Sequence, residues 1–164
     1  MGTSHFGGAA TTMRIPTPLL ALAFVVPVAL TAPVLAQRAQ TFAALLSWVP
    51  IGGAERNDVA GEGKATATLS GSRLTITGSF DGLPASVTGA KLHRGPATGV
   101  RGPAIADLRV AGGAAGTVQG ELQLSAEQVA ALEAGQLYIQ IYSEKGVLPD
   151  HATLFGWLLR EGRP

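Results

Sequence analysis

The chain has 164 residues, 12 Lys and Arg against 11 Asp and Glu, and no cysteine. Disulfides, thiolate catalysis and cysteine-ligated zinc are therefore excluded, and a near-neutral charge without a basic stripe argues against a nucleic-acid partner. With 46% hydrophobic and 14% charged residues the chain is too apolar for disorder, and it is long enough to bury a core without cross-links.

Residues Met1 to Thr12 read as a polar, Gly/Ala-rich tail, which leaves Met1 and Met13 as alternative starts. Arg14 is the only Lys, Arg, Asp or Glu before position 37, and it precedes the apolar run Leu19 to Leu30. Val34-Leu35-Ala36 closes the segment on a small residue. This is the order of a secretory signal peptide: positive n-region, apolar h-region, cleavage site. Pro27 and Pro33 interrupt the run, which falls short of the roughly 20 apolar residues of a spanning helix. The expectation is cleavage after Ala36, export to the periplasm or the medium, and no stable membrane span thereafter. Residues 1–36 are then tail and signal, and 37–164 one domain with its core at about 41–161.

From Thr41 the pattern changes to short runs of period-two alternation. Thr41 to Val49 is the first strand candidate. Lys64 to Leu69 places Ala65, Ala67 and Leu69 on one face, Arg73 to Thr77 turns Leu74 and Ile76 inward, and Ser70-Gly71-Ser72 between them makes a hairpin. Further strands are expected at Val87 to His93, Ala104 to Val110, Thr117 to Leu124, Gln136 to Tyr142 and Thr153 to Leu159. Gly and Pro punctuate most of the gaps. Ser125-Ala126-Glu127-Gln128 is a capping box, so Ala126 to Ala134 is a short helix with Ala126, Val129 and Leu132 on one face and Gly135 as its left-handed terminator. The sum is an all-β domain, an Ig-like β-sandwich or barrel of about eight strands with one short helix before the late strand.

Three stretches in order resemble the CHRD (chordin) domain. Ala44-Leu45-Leu46, Val49-Pro50 and Gly61 to Ala65 are similar to its opening strand, Pro-containing loop and second strand. Val87 to Ala97 and Gly102 to Leu108 resemble its stretch with a His-x-His pair, a Gly/Pro turn and a hydrophobic strand. Leu132 to Ser143 resembles its helix, its Gly and its Leu-Tyr-Val-Asn-Val-His-Thr strand. Lys91 stands where the family has the first His of His-x-His, and His93 keeps the second. Gln140 and Tyr142 replace the family's Asn and His in the late strand, and Ala152 to Gly156 lacks the charged pair of its closing Gly-Glu-Ile-Arg-Gly.

Strand geometry puts Lys91 and His93 on one face of their strand, opposite Ala90 and Leu92. Tyr138, Gln140 and Tyr142 likewise share a face, opposite Leu137, Ile139 and Ile141. Lys91, His93, Gln140, Tyr142 and the neighbouring Arg94 are therefore the candidate ligand-binding residues. The resemblance implies copper or zinc for a full His set, as on the metal strands of copper–zinc superoxide dismutase, with His93 as the metal ligand that survives in this chain. One imidazole beside a lysine is a weak site, and the expectation is that these rows form a solvated sheet face. His151, in the loop before the last strand, completes a site only if the fold brings it to His93. His5 precedes the signal. Arg94, Arg101 and Arg109 are spread across a strand–turn–strand and read as solvating charges.

No Gly-x-Ser-x-Gly elbow and no phosphate-binding glycine loop accompanies these residues, so no specific enzyme activity is expected. The expected function is an exported, non-catalytic module that binds a protein or a small ligand, or has a structural role. The alternative is a copper, zinc or redox protein with a reduced site around His93. Phe155 and Trp157 share one face of the last strand, and Leu154 and Leu158 the other. A strand apolar on both sides is central in its sheet or covered by a partner, in this case a second copy of the chain.

Overall fold

The expected hairpin is present in the computed structural model as β2 (Glu62–Ser70) and β3 (Arg73–Asp81), paired from Glu62 with Asp81 to Ser70 with Arg73. Two residues turn the chain. The first of them, Gly71, sits at φ 62°, the left-handed value that mirror-image hairpin turns require and that side chains disfavour. The structure describes residues 1–4, 7–8, 38–53, 56 and 58–162. The expected signal peptide lies outside them. The chain divides into the units Met1–Val34 and Leu35–Pro164, and the strands belong to the second.

The other expected strands are β1 (Gln40–Trp48), β4 (Val87–Arg94), β5 (Ala104–Gly112), β6 (Gly116–Gln123), β7 (Leu137–Val147) and β8 (Ala152–Trp157), with a two-residue β9 (Leu159–Arg160) after the last. All pairings are antiparallel, and following them from β1 through β2, β3, β6, β5, β4, β7 and β8 leads back to β1. The fold is thus a closed eight-stranded barrel, and of the two architectures expected for an all-β chain it is the barrel that forms. The order β3–β6–β5–β4 is a Greek key.

Closure depends on two strands that change partners along their length. β1 pairs with β2 through Leu46, then with β8 at Ser47 and Trp48. β5 pairs with β4 up to Leu108 and with β6 from Arg109 onward. Such strands make the corners where one sheet turns into the next.

The alternation fills the interior as the sequence predicts. Ala65, Ala67, Leu69, Leu74, Ile76, Ala90, Leu92, Leu137, Ile139 and Ile141 all belong to one buried cluster with Phe42, Leu154 and Leu158. Each fully buried Leu, Ile or Phe there contributes about 1.5–3 kcal/mol relative to exposure. Helix α1 (Ala126–Glu133) begins at its capping box, with Gln128 N–H donating to Ser125 Oγ (3.2 Å) and Ser125 N–H donating to Gln128 Oε1 (2.9 Å). It buries Ala131 and Leu132, whereas the expected Ala126 stays exposed. Gly135 takes φ 71°, as a helix terminator should. No helix among the described residues is long and apolar enough to cross a membrane.

A second, smaller apolar cluster lies apart from the barrel interior. It joins Val49 and Val59, from the long connection between β1 and β2, to Tyr142 and Ala152, with Ile51, Val147 and Phe155 packed against it. The connection is anchored by Val49 N–H donating to the Thr153 carbonyl (3.1 Å). Strand β8 is central, between β7 and β1. Its outer apolar residues are half-buried, Phe155 against this second cluster and Trp157 against Tyr138.

Candidate functional site

β4 and β7 pair directly, with Lys91 opposite Gln140 and His93 opposite Tyr138. The two polar rows therefore meet on one face of one sheet, as their alternation requires. In the pairing with β5 a bulge falls between Leu92 and His93, with Ile105 as the extra residue on β5, while His93 keeps its register with β7. A second irregularity follows Tyr142, where β7 departs from β8 and returns at Val147. Ser143 and Thr153 hold that departure. Their hydroxyls are 2.9 Å apart, and each donates to the Lys145 carbonyl.

The face is not solvated, which corrects the sequence expectation. His93 is 7% exposed, Gln140 3%, Tyr142 8% and Tyr138 1%. The cause is the second apolar cluster and the β4–β5 loop, which cover the outside of the sheet. Lys91 alone of the central row remains partly open, and its ammonium pairs with Asp107 Oδ1 at 2.8 Å. Arg94 pairs with Glu127 of α1 at 3.7 Å. Both pairs are solvent-accessible and each is worth at most about 1 kcal/mol.

Both ring nitrogens of His93 are engaged. Nδ1 is 2.9 Å from the Gly102 carbonyl oxygen, which can only accept, so the proton sits on Nδ1. Nε2 then accepts from the Tyr142 hydroxyl at 2.8 Å. The ring is neutral in this arrangement, and burial lowers its pKa below the usual 6.5, with the Gly102 hydrogen bond and the Asp150 carboxylate opposing. Burial likewise pushes the Tyr142 phenol up to about 12, helped by Asp150. Gln140 donates to Asp150 Oδ2 at 3.5 Å.

Tyr138 and Gly102 complete the cluster, and neither was a candidate. The Tyr138 ring stacks on His93 at 4.8 Å and contacts Trp157 at 4.6 Å. Its hydroxyl donates to the Gly102 carbonyl (2.8 Å) and accepts from the Gly102 N–H (3.1 Å). Gly102 thus serves as the hub for both rings. A Cβ there would stand 2.1 Å from the Arg94 carbonyl oxygen, so only glycine permits the approach. The shared outward face of Tyr138 with Gln140 and Tyr142 was the one sequence signal that pointed to it.

The remaining candidates do not join. His151 is exposed in the β7–β8 turn, and its backbone carbonyl, not its ring, takes part in the fold by accepting from the Ser143 N–H (3.3 Å). Arg101 and Arg109 are exposed, and Arg94 is held by Glu127, so the three arginines share no partner. Among the described residues no group of three or more His, Asp or Glu stands together to hold a metal ion. A cation at His93 would have to displace either the Gly102 carbonyl or the Tyr142 hydroxyl. As built, the cluster can clamp the β4–β5 loop to the sheet, and it can exchange one proton between Tyr142 and His93.

A family model described as the CHRD domain matches residues 42–146, from β1 into the end of β7. No curated protein and no solved structure matches the chain significantly.

Proposed function

The chain belongs to the CHRD domain family, and on that premise we propose that it acts as an exported, non-catalytic β-barrel module with a binding or structural role. One observation carries the reading. His93, retained from the family's histidine pattern, is buried and neutral, with both nitrogens spent on Gly102 and Tyr142. The position that a metal-binding relative would use for coordination fastens a loop in this chain. Lys91, at the other motif position, adds a cation beside it and gives its charge to Asp107. Export rests on the signal-like order of Arg14, Leu19 to Leu30 and Ala36.

The test is metal analysis of the purified chain, with His93→Ala as control. The expected result is no stoichiometric copper or zinc in either protein. Bound metal in the wild type that disappears in the variant overturns the reading in favour of a metal site. Export is checked separately, by determining the N-terminus of the protein recovered outside the cytoplasm, expected at Gln37.

A further inference from the structure

The sequence holds two tyrosines, and both lie in the His93 cluster. It holds two tryptophans, and one of them, half-buried Trp157, touches Tyr138. After Met13 there is no methionine, and there is no cysteine anywhere. Sulfur, the usual sink for oxidants, is thus missing from the barrel. Three of the four Tyr and Trp side chains are instead gathered with His93 into a row along the sheet from Trp157 through Tyr138 to Tyr142, while Trp48 stands exposed on β1. Ring centroids are 4.6 Å apart from Trp157 to Tyr138, 4.8 Å from Tyr138 to His93 and 6.4 Å from His93 to Tyr142.

The two phenols differ in where their protons point. The Tyr138 hydroxyl donates to the Gly102 carbonyl, which is no base, so losing an electron there leaves a buried cation. The Tyr142 hydroxyl donates to the unprotonated Nε2 of His93 at 2.8 Å. An electron lost from Tyr142 can leave together with a proton transfer across an existing hydrogen bond. The resulting imidazolium keeps its Nδ1 bond to Gly102 and lies in the field of Asp150, against which Lys91 and Arg101 act.

We propose that Tyr142 is a site of one-electron oxidation, at which a surface oxidant such as a peroxyl radical withdraws an electron through Trp157 and Tyr138 while the phenolic proton passes to Nε2 of His93. The O–H bond of Tyr142 breaks and an N–H bond forms on His93. The phenol becomes a neutral phenoxyl, and the peroxyl radical becomes a hydroperoxide anion that takes its proton from water. The module thereby quenches one-electron oxidants, an activity independent of whatever partner it binds.

The experiment is photo-oxidation of the full chain by tris(bipyridyl)ruthenium(III), generated by flash with pentaamminechlorocobalt(III) as acceptor, read by transient absorption and electron paramagnetic resonance. The wild type is expected to form a long-lived phenoxyl, more slowly in deuterium oxide. Tyr138→Phe keeps the stacked ring and leaves Tyr142 as the sole tyrosine, so it should retain the phenoxyl, whereas Tyr142→Phe should lose it. His93→Gln should slow its formation roughly a hundredfold or more, the scale of losing a positioned base. The proposal is overturned if no phenoxyl forms in the wild type, if the signal survives in Tyr142→Phe, or if His93→Gln reacts at the wild-type rate. Should His93→Gln fail to fold, the wild-type solvent isotope effect decides, and its absence overturns the proposal.

Discussion

Nε2 of His93 lies 2.8 Å from the phenolic oxygen of Tyr142, although the two residues are 49 positions apart. With the Gly102 carbonyl on Nδ1, this contact leaves the imidazole no free nitrogen. In a buried site each such bond matters more by what its loss leaves unpaired than by its own strength. His93→Ala removes a ring and orphans the Tyr142 hydroxyl, and should cost about 2–4 kcal/mol. Tyr142→Phe should cost about 1–2 kcal/mol by leaving Nε2 without a donor. A double-mutant cycle in urea should return a coupling of about 0.5–3 kcal/mol, as for residues in contact. Strictly additive effects would show that the hydrogen bond contributes nothing.

Acid should destabilise the barrel through His93. Its folded pKa lies below the unfolded value of 6.5, so the unfolded chain binds more protons once the pH falls past that value. The contribution is complete above the unfolded pKa and fades as the pH drops toward the folded one. The slope should be at most about 1.4 kcal/mol per pH unit, the value for a single proton. It should vanish in His93→Gln when urea midpoints are compared across the acid range. On the alkaline side the sign is reversed. The Tyr142 phenol, raised to about 12, loses its contribution as the pH climbs from about 10 through that value. Phenolate absorbance of the folded protein should therefore develop late.

Gly102→Ala should undock the β4–β5 loop. A Cβ 2.1 Å from the Arg94 carbonyl oxygen must force the backbone apart, and the Tyr138 and His93 bonds to Gly102 go with it. The expected cost is about 1–3 kcal/mol, with Trp157 fluorescence shifted toward a wetter environment. Gly89→Ala is the control. It lies opposite Tyr142 on β4, a Cβ there meets nothing within 4 Å, and the change should be neutral or stabilising by under about 1 kcal/mol. Equal damage from both substitutions would mean that the hub at Gly102 is unimportant.

Restoring the family's histidines should create a metal site that the wild type does not offer. Lys91→His combined with Tyr142→His replaces a repelling ammonium and frees Nε2 of His93, giving three imidazoles on two paired strands. Titration calorimetry should show copper or zinc binding to the folded double variant and none to the wild type. A folded double variant without affinity would show that these three positions do not converge on one ion.

Much of the barrel was legible in the chain. The Arg73–Thr77 run, the capping box at Ser125 and the terminator at Gly135 depend on neighbours two to four residues away, and each appears where the pattern puts it. The inward set from Ala65 to Ile141 follows from the same period of two. The candidate site was legible in part. His93, Gln140 and Tyr142 share a face as expected, but their burial was not visible. Val49, expected as the last residue of the first strand, lies instead just past β1, and Val59 sits in the irregular connection that follows, where no periodicity marks it as a packing residue that helps to cover that face.

Alternation by itself determined which side chains face the barrel interior, because a strand's two faces are set by the backbone and not by its neighbours. Only the tertiary structure decided what lies on the outer face. Ring closure through the partner changes of β1 and β5, and the fold-back of the β1–β2 connection, bring together groups that are dozens of positions apart. Excluding water from a polar row requires those distant pieces to arrive together. That is why His93 and Tyr142 read as surface residues in the chain and form a buried hydrogen-bonded pair in the fold.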